Sequence, residues 1–260
     1  MVGRAASGDV PFMLAPDLLQ ACPAFQDLQP DTIRAMARAA RTAEFRRDER
    51  IAPLINPPKR LVLILSGLAK LAAPTLKGQE RIVYVFRPGE LVGSRVFLEE
   101  SPEAAYEIVA MTKVEGLILE VSDLIAIGRD HPELLVAVTS SFSRRLHYLT
   151  DRLMAAMSEE VAVRLCRLLA DFVDDSLRDC DDLVPLSHTL THETMANIVG
   201  ASRPHTSSVL AELERRDVVR RRRRDLLVRP SGLLSVIRHE LENLGDGSDR
   251  GTAHAQSRVS

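Results

Sequence analysis

The sequence predicts an α+β chain made of an N-terminal roll of short antiparallel strands, one long helix and a C-terminal winged helix-turn-helix. Three observations carry that expectation. Short apolar runs broken by Gly, Pro and Asn fill the stretch from Phe45 to Val121, a texture of closely spaced strands with no helix between them. A strict alternation of four- and three-residue steps follows from Leu135 to Ala156, the narrow stripe by which a helix pairs with a copy of itself. Two short helical patterns joined at Gly200 then precede five consecutive arginines, Arg220 to Arg224, the order of a helix-turn-helix and its wing.

With 260 residues, 45% apolar and 27% charged, the chain is long enough for two cores and too apolar to be disordered. Its longest apolar stretch, Leu61 to Ala73, is broken by Ser66, Gly67 and Lys70. That is too short to span a bilayer, so no membrane association is expected. The first residues lack the continuous apolar core of a secretory signal, and a cytoplasmic location follows. Cys22, Cys166 and Cys180 are too few and too scattered for a disulfide framework, a zinc site or an iron–sulfur cluster. Neither metal nor cofactor is expected, and Cys166 reads as a buried packing residue.

Residues 1–17 read as a flexible start and 18–129 as the roll with flanking helices. Leu28, Ile33, Met36 and Ala40 recur at helical spacing within Leu18 to Phe45. The strand candidates are LVLIL, LAKLAA, RIVYVF, YEIVAMT and VEGLILEV. Residues 130–157 form the long helix, with Leu135, Thr139, Phe142, Leu146, Leu149, Leu153 and Ala156 as its dimer seam. The winged helix-turn-helix takes 158–244, and the polar residues 245–260 read as a disordered tail. Ser158, followed by two acids, suits the start of the next helix.

In the segment from Leu190 to Val219, Thr191 can cap one helix, Gly200 can end it and Ser202 can cap the next. Met195, Ala196, Val199, Val209, Leu210 and Leu213 supply the core between them. The second helix opens with Ser202, Arg203, His205, Thr206 and Ser208, side chains that bond to bases and phosphates. The chain's formal net charge is only −2, yet from Ala201 to Pro230 nine arginines face four acids. Five adjacent guanidinium groups repel one another and must be solvated or face a polyanion. Placed in a hairpin directly after a candidate recognition helix, they favour DNA phosphates. Arg221, Arg222 and Arg223 join Thr191 and the residues of the second helix as the expected DNA-contacting set.

The order roll, long helix, winged helix-turn-helix resembles the CRP/FNR family of bacterial transcription regulators. The resemblance covers Leu18 to Leu244 and rests on LSGLAKL at Leu65 to Leu71, FRPGELVG at Phe86 to Gly93, and ANIVGASRPHTSSVLAELE at Ala196 to Glu214. It implies a cyclic-nucleotide-binding-like roll, a homodimer, a pseudo-palindromic site in double-stranded DNA, and RNA polymerase as a further partner. It also implies a small-molecule effector. Family members that bind cyclic AMP hold the ribose with a Glu, the cyclic phosphate with an Arg and the adenine with a Thr on the long helix. Here the Glu position is Ser94, the Arg and Ser positions are Ala104 and Ala105, and the Thr position is Leu149. Without the anion ligand, a buried phosphate has no charged partner, so cyclic AMP dependence is not expected.

Ser94 and Arg95 mark the matching place in the roll, and Arg95 could serve another anion or simply be exposed. The alternative function is an effector-binding module that answers to another small molecule, such as a cyclic dinucleotide, or to a protein partner. The best-known relatives read bases with Arg, Glu and Arg; here those places hold Arg203, Pro204 and Ser208. The operator is therefore expected to differ from the familiar one. No nucleophile elbow, phosphate loop or metal motif is present, and enzymatic activity is not expected.

Overall fold

The computed structural model describes residues 15–52, 59–74, 80–93, 106–223 and 225–239. They form two compact units, Met1–Thr150 and Asp151–Ser260, with the border inside the long helix.

The first unit begins with α1 (Ala15–Gln20) and α2 (Pro30–Ala39). Eight strands follow: β1 (Arg41–Phe45), β2 (Arg50–Ala52), β3 (Arg60–Ser66), β4 (Ala69–Pro74), β5 (Glu80–Phe86), β6 (Leu91–Val92), β7 (Glu107–Ala110) and β8 (Val114–Glu120). They make two four-stranded sheets, ordered β1-β8-β3-β6 and β2-β7-β4-β5, and all the pairings are antiparallel. Helices α3 (Val121–Asp130) and α4 (Pro132–Ser158) close the unit.

The unbroken apolar runs of β3 and β8 arise because both strands are covered on two sides. Val62, Ile64 and Ile118 point into a core shared with Phe45, Ile51, Tyr84, Phe86 and Ile108. Their neighbours Leu61, Leu63, Leu117 and Leu119 point the other way, onto Leu19, Ile33, Met36 and Leu124 of the helices and Phe25 between α1 and α2. Alternation at period two therefore places every second residue in a different core. The turn between β3 and β4 requires Gly67, whose φ is +83° and where a Cβ would stand 2.0 Å from the Lys113 carbonyl oxygen.

The residues RTAEF, expected at the end of a helical stretch, are instead β1. Ala43 and Phe45 are buried on one face of a strand whose whole length pairs with β8.

The 27-residue helix α4 is fixed to the roll from one side. Arg145 donates to the Leu91 carbonyl, and its guanidinium lies 4.5 Å from the Phe86 ring centroid, 5.3 Å from Tyr84 and 5.7 Å from Phe142. Tyr148 meets Tyr84 edge-on at 5.4 Å. The Tyr84 hydroxyl bonds the Glu90 carboxylate, and burial pushes its pKa up. Of the residues expected in the seam, Phe142 and Leu149 also pack against the two roll cores, while Leu135, beside Gly128, is 39% exposed. Thr139 and Ala156 are exposed, and Leu146 and Leu153 are 67% and 61% exposed. They share that face with Val136, Met154 and Met157, at 65%, 59% and 77%. Leu135, Thr139, Leu146, Leu153 and Ala156 of the expected seam are thus on the open side of the helix.

The second unit contains α5 (Val161–Asp171), a 3-10 turn (Asp175–Leu177), β9 (Val184–Pro185), α6 (His192–Val199), α7 (Arg203–Arg215), β10 (Val219–Arg222) and β11 (Asp225–Val228). A last helix occupies 230–239. Its sheet has the order β10-β11-β9. Leu165, Cys166, Leu169, Met195, Leu213, Val228 and Leu233 are buried.

Ser158 does not open α5 as expected. It ends α4, its hydroxyl donating to the Met154 carbonyl at 2.9 Å, and Glu160 stands at the N-cap of α5 without a side-chain cap. Arg167 reaches back from α5 to grip Glu159 at 2.7 Å, which holds the link between the helices extended.

Cys22 and Cys166 are buried, while Cys180 is partly exposed. Burial raises the Cys22 pKa and pushes that of Cys166 up to about 12, so neither offers a thiolate near neutrality. A disulfide-exchange reagent such as DTNB is expected to titrate Cys180 rapidly in the native protein and the other two only after unfolding. Equal rates for all three thiols would contradict the closed cores.

Candidate nucleic-acid interface

Each helix end at the turn between α6 and α7 is fixed by local chemistry. Thr191 caps α6 by accepting from the Thr194 N–H at 3.0 Å, and Ser202 caps α7 by accepting from the His205 N–H at 3.3 Å. Gly200 ends α6 at φ +72°, the left-handed conformation that glycine takes without strain. Arg152 donates to the Ile198 carbonyl and Arg164 to that of Val199, the latter at 2.8 Å. Two cations therefore hold the last carbonyls of α6, at the negative end of its dipole. Pro204 fits the first turn of α7, where no N–H is needed.

This leaves Arg203, Pro204, His205 and Ser208 exposed along the first two turns of α7. The Ser208 hydroxyl donates to the Pro204 carbonyl at 3.2 Å. Thr206 must be withdrawn from the expected contact set. It is wholly buried, and its hydroxyl donates to the Ser202 carbonyl at 3.1 Å. It lies one turn before Leu210 on the apolar face, so it packs the core instead of facing the groove.

The wing pairs Val219 with Val228, Arg220 with Leu227, Arg221 with Leu226 and Arg222 with Asp225. Its arginines are not equivalent. Arg220 is bound at 2.7 Å to Asp217, which also holds Arg229 at 2.7 Å. Hydrogen bonds from Arg229 and Arg220 keep the Asp217 carboxyl below the usual range. Arg221 turns toward α6, its guanidinium 2.8 Å from His192 Nε2, while its own N–H donates to Glu214 at 3.3 Å. Arg222 and Arg223 are exposed. Arg224, Ser94 and Arg95 lie outside the described residues.

Sequence reasoning missed His192, which also meets the Ser207 hydroxyl through Nδ1 at 2.8 Å. Burial, and then the charges of Arg221 and Arg203, lower its pKa. The signal was its place directly after the Thr191 cap, at the same helix end as the reading edge. Among the described residues no helix is long and apolar enough to cross a membrane. No three His, Cys, Asp or Glu side chains among them are grouped to hold a metal ion.

A two-sheet roll followed by a long helix and a winged helix-turn-helix is the layout of a DNA-binding regulator. Residues 42–131 match the cyclic nucleotide-binding domain family and residues 163–236 the Crp-like helix-turn-helix domain. The cyclic AMP receptor protein of Thermus thermophilus is 32% identical over 177 residues, 68% of this chain and 78% of its own. A CRP-like cAMP-activated global transcriptional regulator of Mycobacterium tuberculosis is 23% identical over 81% of this chain and 94% of its own. In fold, the chain is similar to the c-di-GMP-responsive global regulator of Xanthomonas campestris, with a TM-score of 0.64 at 20% identity, over 77% of this chain and 99% of that one. The chain belongs to the CRP/FNR family: it is a CRP-like transcription regulator with an effector-binding domain and a DNA-binding helix-turn-helix.

Proposed function

We propose that the protein acts in the cytoplasm as a homodimer that binds a pseudo-palindromic DNA site, and that cyclic AMP is not its effector. The exposed first turns of α7, flanked by a wing with two uncommitted arginines, carry the reading. An N-terminal turn bearing Arg203, His205 and Ser208 suits the major groove, and Arg222 and Arg223 suit the adjoining phosphates. The apolar stripe on α4 supports pairing with a second copy, which would set two α7 helices against two half-sites. RNA polymerase is the further partner that family membership supports.

The effector reading rests on Ala104 and Ala105 standing where cyclic AMP binders place Arg and Ser, and on Leu149 in place of the adenine-facing Thr. Leu149 packs against the roll's core and has no hydroxyl to offer. Leaving a cyclic phosphate without its charged partner costs on the order of several kcal/mol. The roll is therefore left to another small molecule, such as a cyclic dinucleotide, or to a protein partner. Calorimetry with cyclic AMP should give no measurable heat of binding, and shift assays on the gene's own upstream DNA should need none. A micromolar cyclic AMP site would overturn this reading of the roll.

A further inference from the structure

We infer that His192 is a positioning residue for DNA binding, its neutral imidazole bridging the recognition helix α7, through Ser207, to the wing, through Arg221. The inference rests on the reading of α7 and the wing as the DNA-binding surface. Three elements meet at this ring: it is the first residue of α6, Ser207 lies one turn beyond Arg203 on α7, and Arg221 lies in β10.

The two 2.8 Å contacts fix the chemistry of the bridge. A guanidinium only donates hydrogen bonds, so Nε2 must carry the lone pair that accepts from Arg221. The ring proton then sits on Nδ1, where it donates to Ser207 Oγ. Only the neutral Nδ1-protonated ring makes both bonds. Its half-buried site, with two arginines close by, favours that form. The other end of Arg221 is held as well, by its N–H on Glu214. The wing's guanidinium is thereby ordered beside the reading edge before DNA arrives. A long side chain that is already ordered loses less freedom on binding a phosphate.

The test is a double-mutant cycle on affinity for a random-sequence duplex at low salt, a probe that reports phosphate contacts without needing the operator. His192→Ala should weaken binding by about 2- to 10-fold, the value of one pre-ordered side chain. The same substitution should cost nothing further in an Arg221→Ala background. His192→Gln, whose amide can accept from Arg221 and donate to Ser207, should recover most of the loss. Additive losses from His192→Ala and Arg221→Ala would overturn the bridge while leaving the wing reading intact. No loss from Arg221→Ala alone would sink the wing contact, and the bridge with it. Nitrogen NMR of the imidazole gives a readout that does not depend on a His192 variant folding. The wild-type ring should show the Nδ1-protonated tautomer, and Arg221→Ala should shift it toward a mixture. A ring protonated on Nε2 in the wild type would refute the assignment.

Discussion

Leu146→Asp is expected to leave the protomer folded and to abolish its self-association. In the isolated chain Leu146 is 67% exposed, so an aspartate there stays solvated and the protomer should keep its native circular dichroism. In a symmetric pair the carboxylate meets its own mate in an apolar seam, where an uncompensated charge costs about 3–5 kcal/mol. Leu153→Asp should behave alike. Leu149→Asp should not, since Leu149 packs against the roll core and its loss should lower the melting temperature of the first unit. Sedimentation equilibrium at micromolar concentration separates the two behaviours. Persistent dimers in both Leu146→Asp and Leu153→Asp would mean that the chain pairs through some other surface.

Arg203 and the wing arginines are expected to fail in opposite ways. Arg203, in the first turn of α7 and exposed, can donate two hydrogen bonds to guanine O6 and N7. Losing that pair costs about 1–3 kcal/mol at one base pair per half-site. Arg203→Ala should therefore relax specificity while sparing most affinity for random DNA. Replacing Arg221, Arg222 and Arg223 together with Ala should weaken binding to every sequence and flatten the dependence of log K on log salt. If each protomer of a dimer loses two phosphate contacts, the slope changes by about 3.6. Arg220 is left out of the triple variant because it is already paired with Asp217. Affinities for specific and random duplexes across a salt series decide the matter. An unchanged slope in the triple variant would make the wing a merely solvated loop.

The features legible in the sequence are those that local chemistry decides. Thr191, Gly200 and Ser202 could be placed at helix ends because capping depends on a residue and its neighbours three or four positions away. The strands β3 and β8 were legible because burial on two faces leaves a continuous apolar run. What was illegible is set by distant contacts. Ser158 has good N-cap chemistry, but its hydroxyl bonds back to Met154 and Glu160 takes the N-cap of α5, beside a Glu159 held by Arg167 eight positions on. The four-three pattern on α4 could not show that the helix is also held by its own roll, through Arg145 and Tyr148 on rings of distant strands. Thr206 was recoverable in principle, since Leu210 and Leu213 continue its face of the helix, but the polar run around it hid the spacing. The charge count of the wing showed five arginines and could not show that Asp217 and His192 had already engaged two of them.

The tip of the wing sets backbone preference against charge. Arg222 pairs with Asp225 at the end of the wing's ladder, and Arg223, next in the chain, sits at φ +58°. Such a turn position favours Gly or Asn, because an ordinary side chain in the left-handed region costs on the order of 1 kcal/mol or more. Glycine at position 223 would relieve that conformation, yet it would remove an exposed cation from the end of the wing. The tip is thus made of a residue suited to a polyanion and ill suited to the turn. Its most comfortable geometry is expected when a phosphate supplies the energy that the backbone gives up.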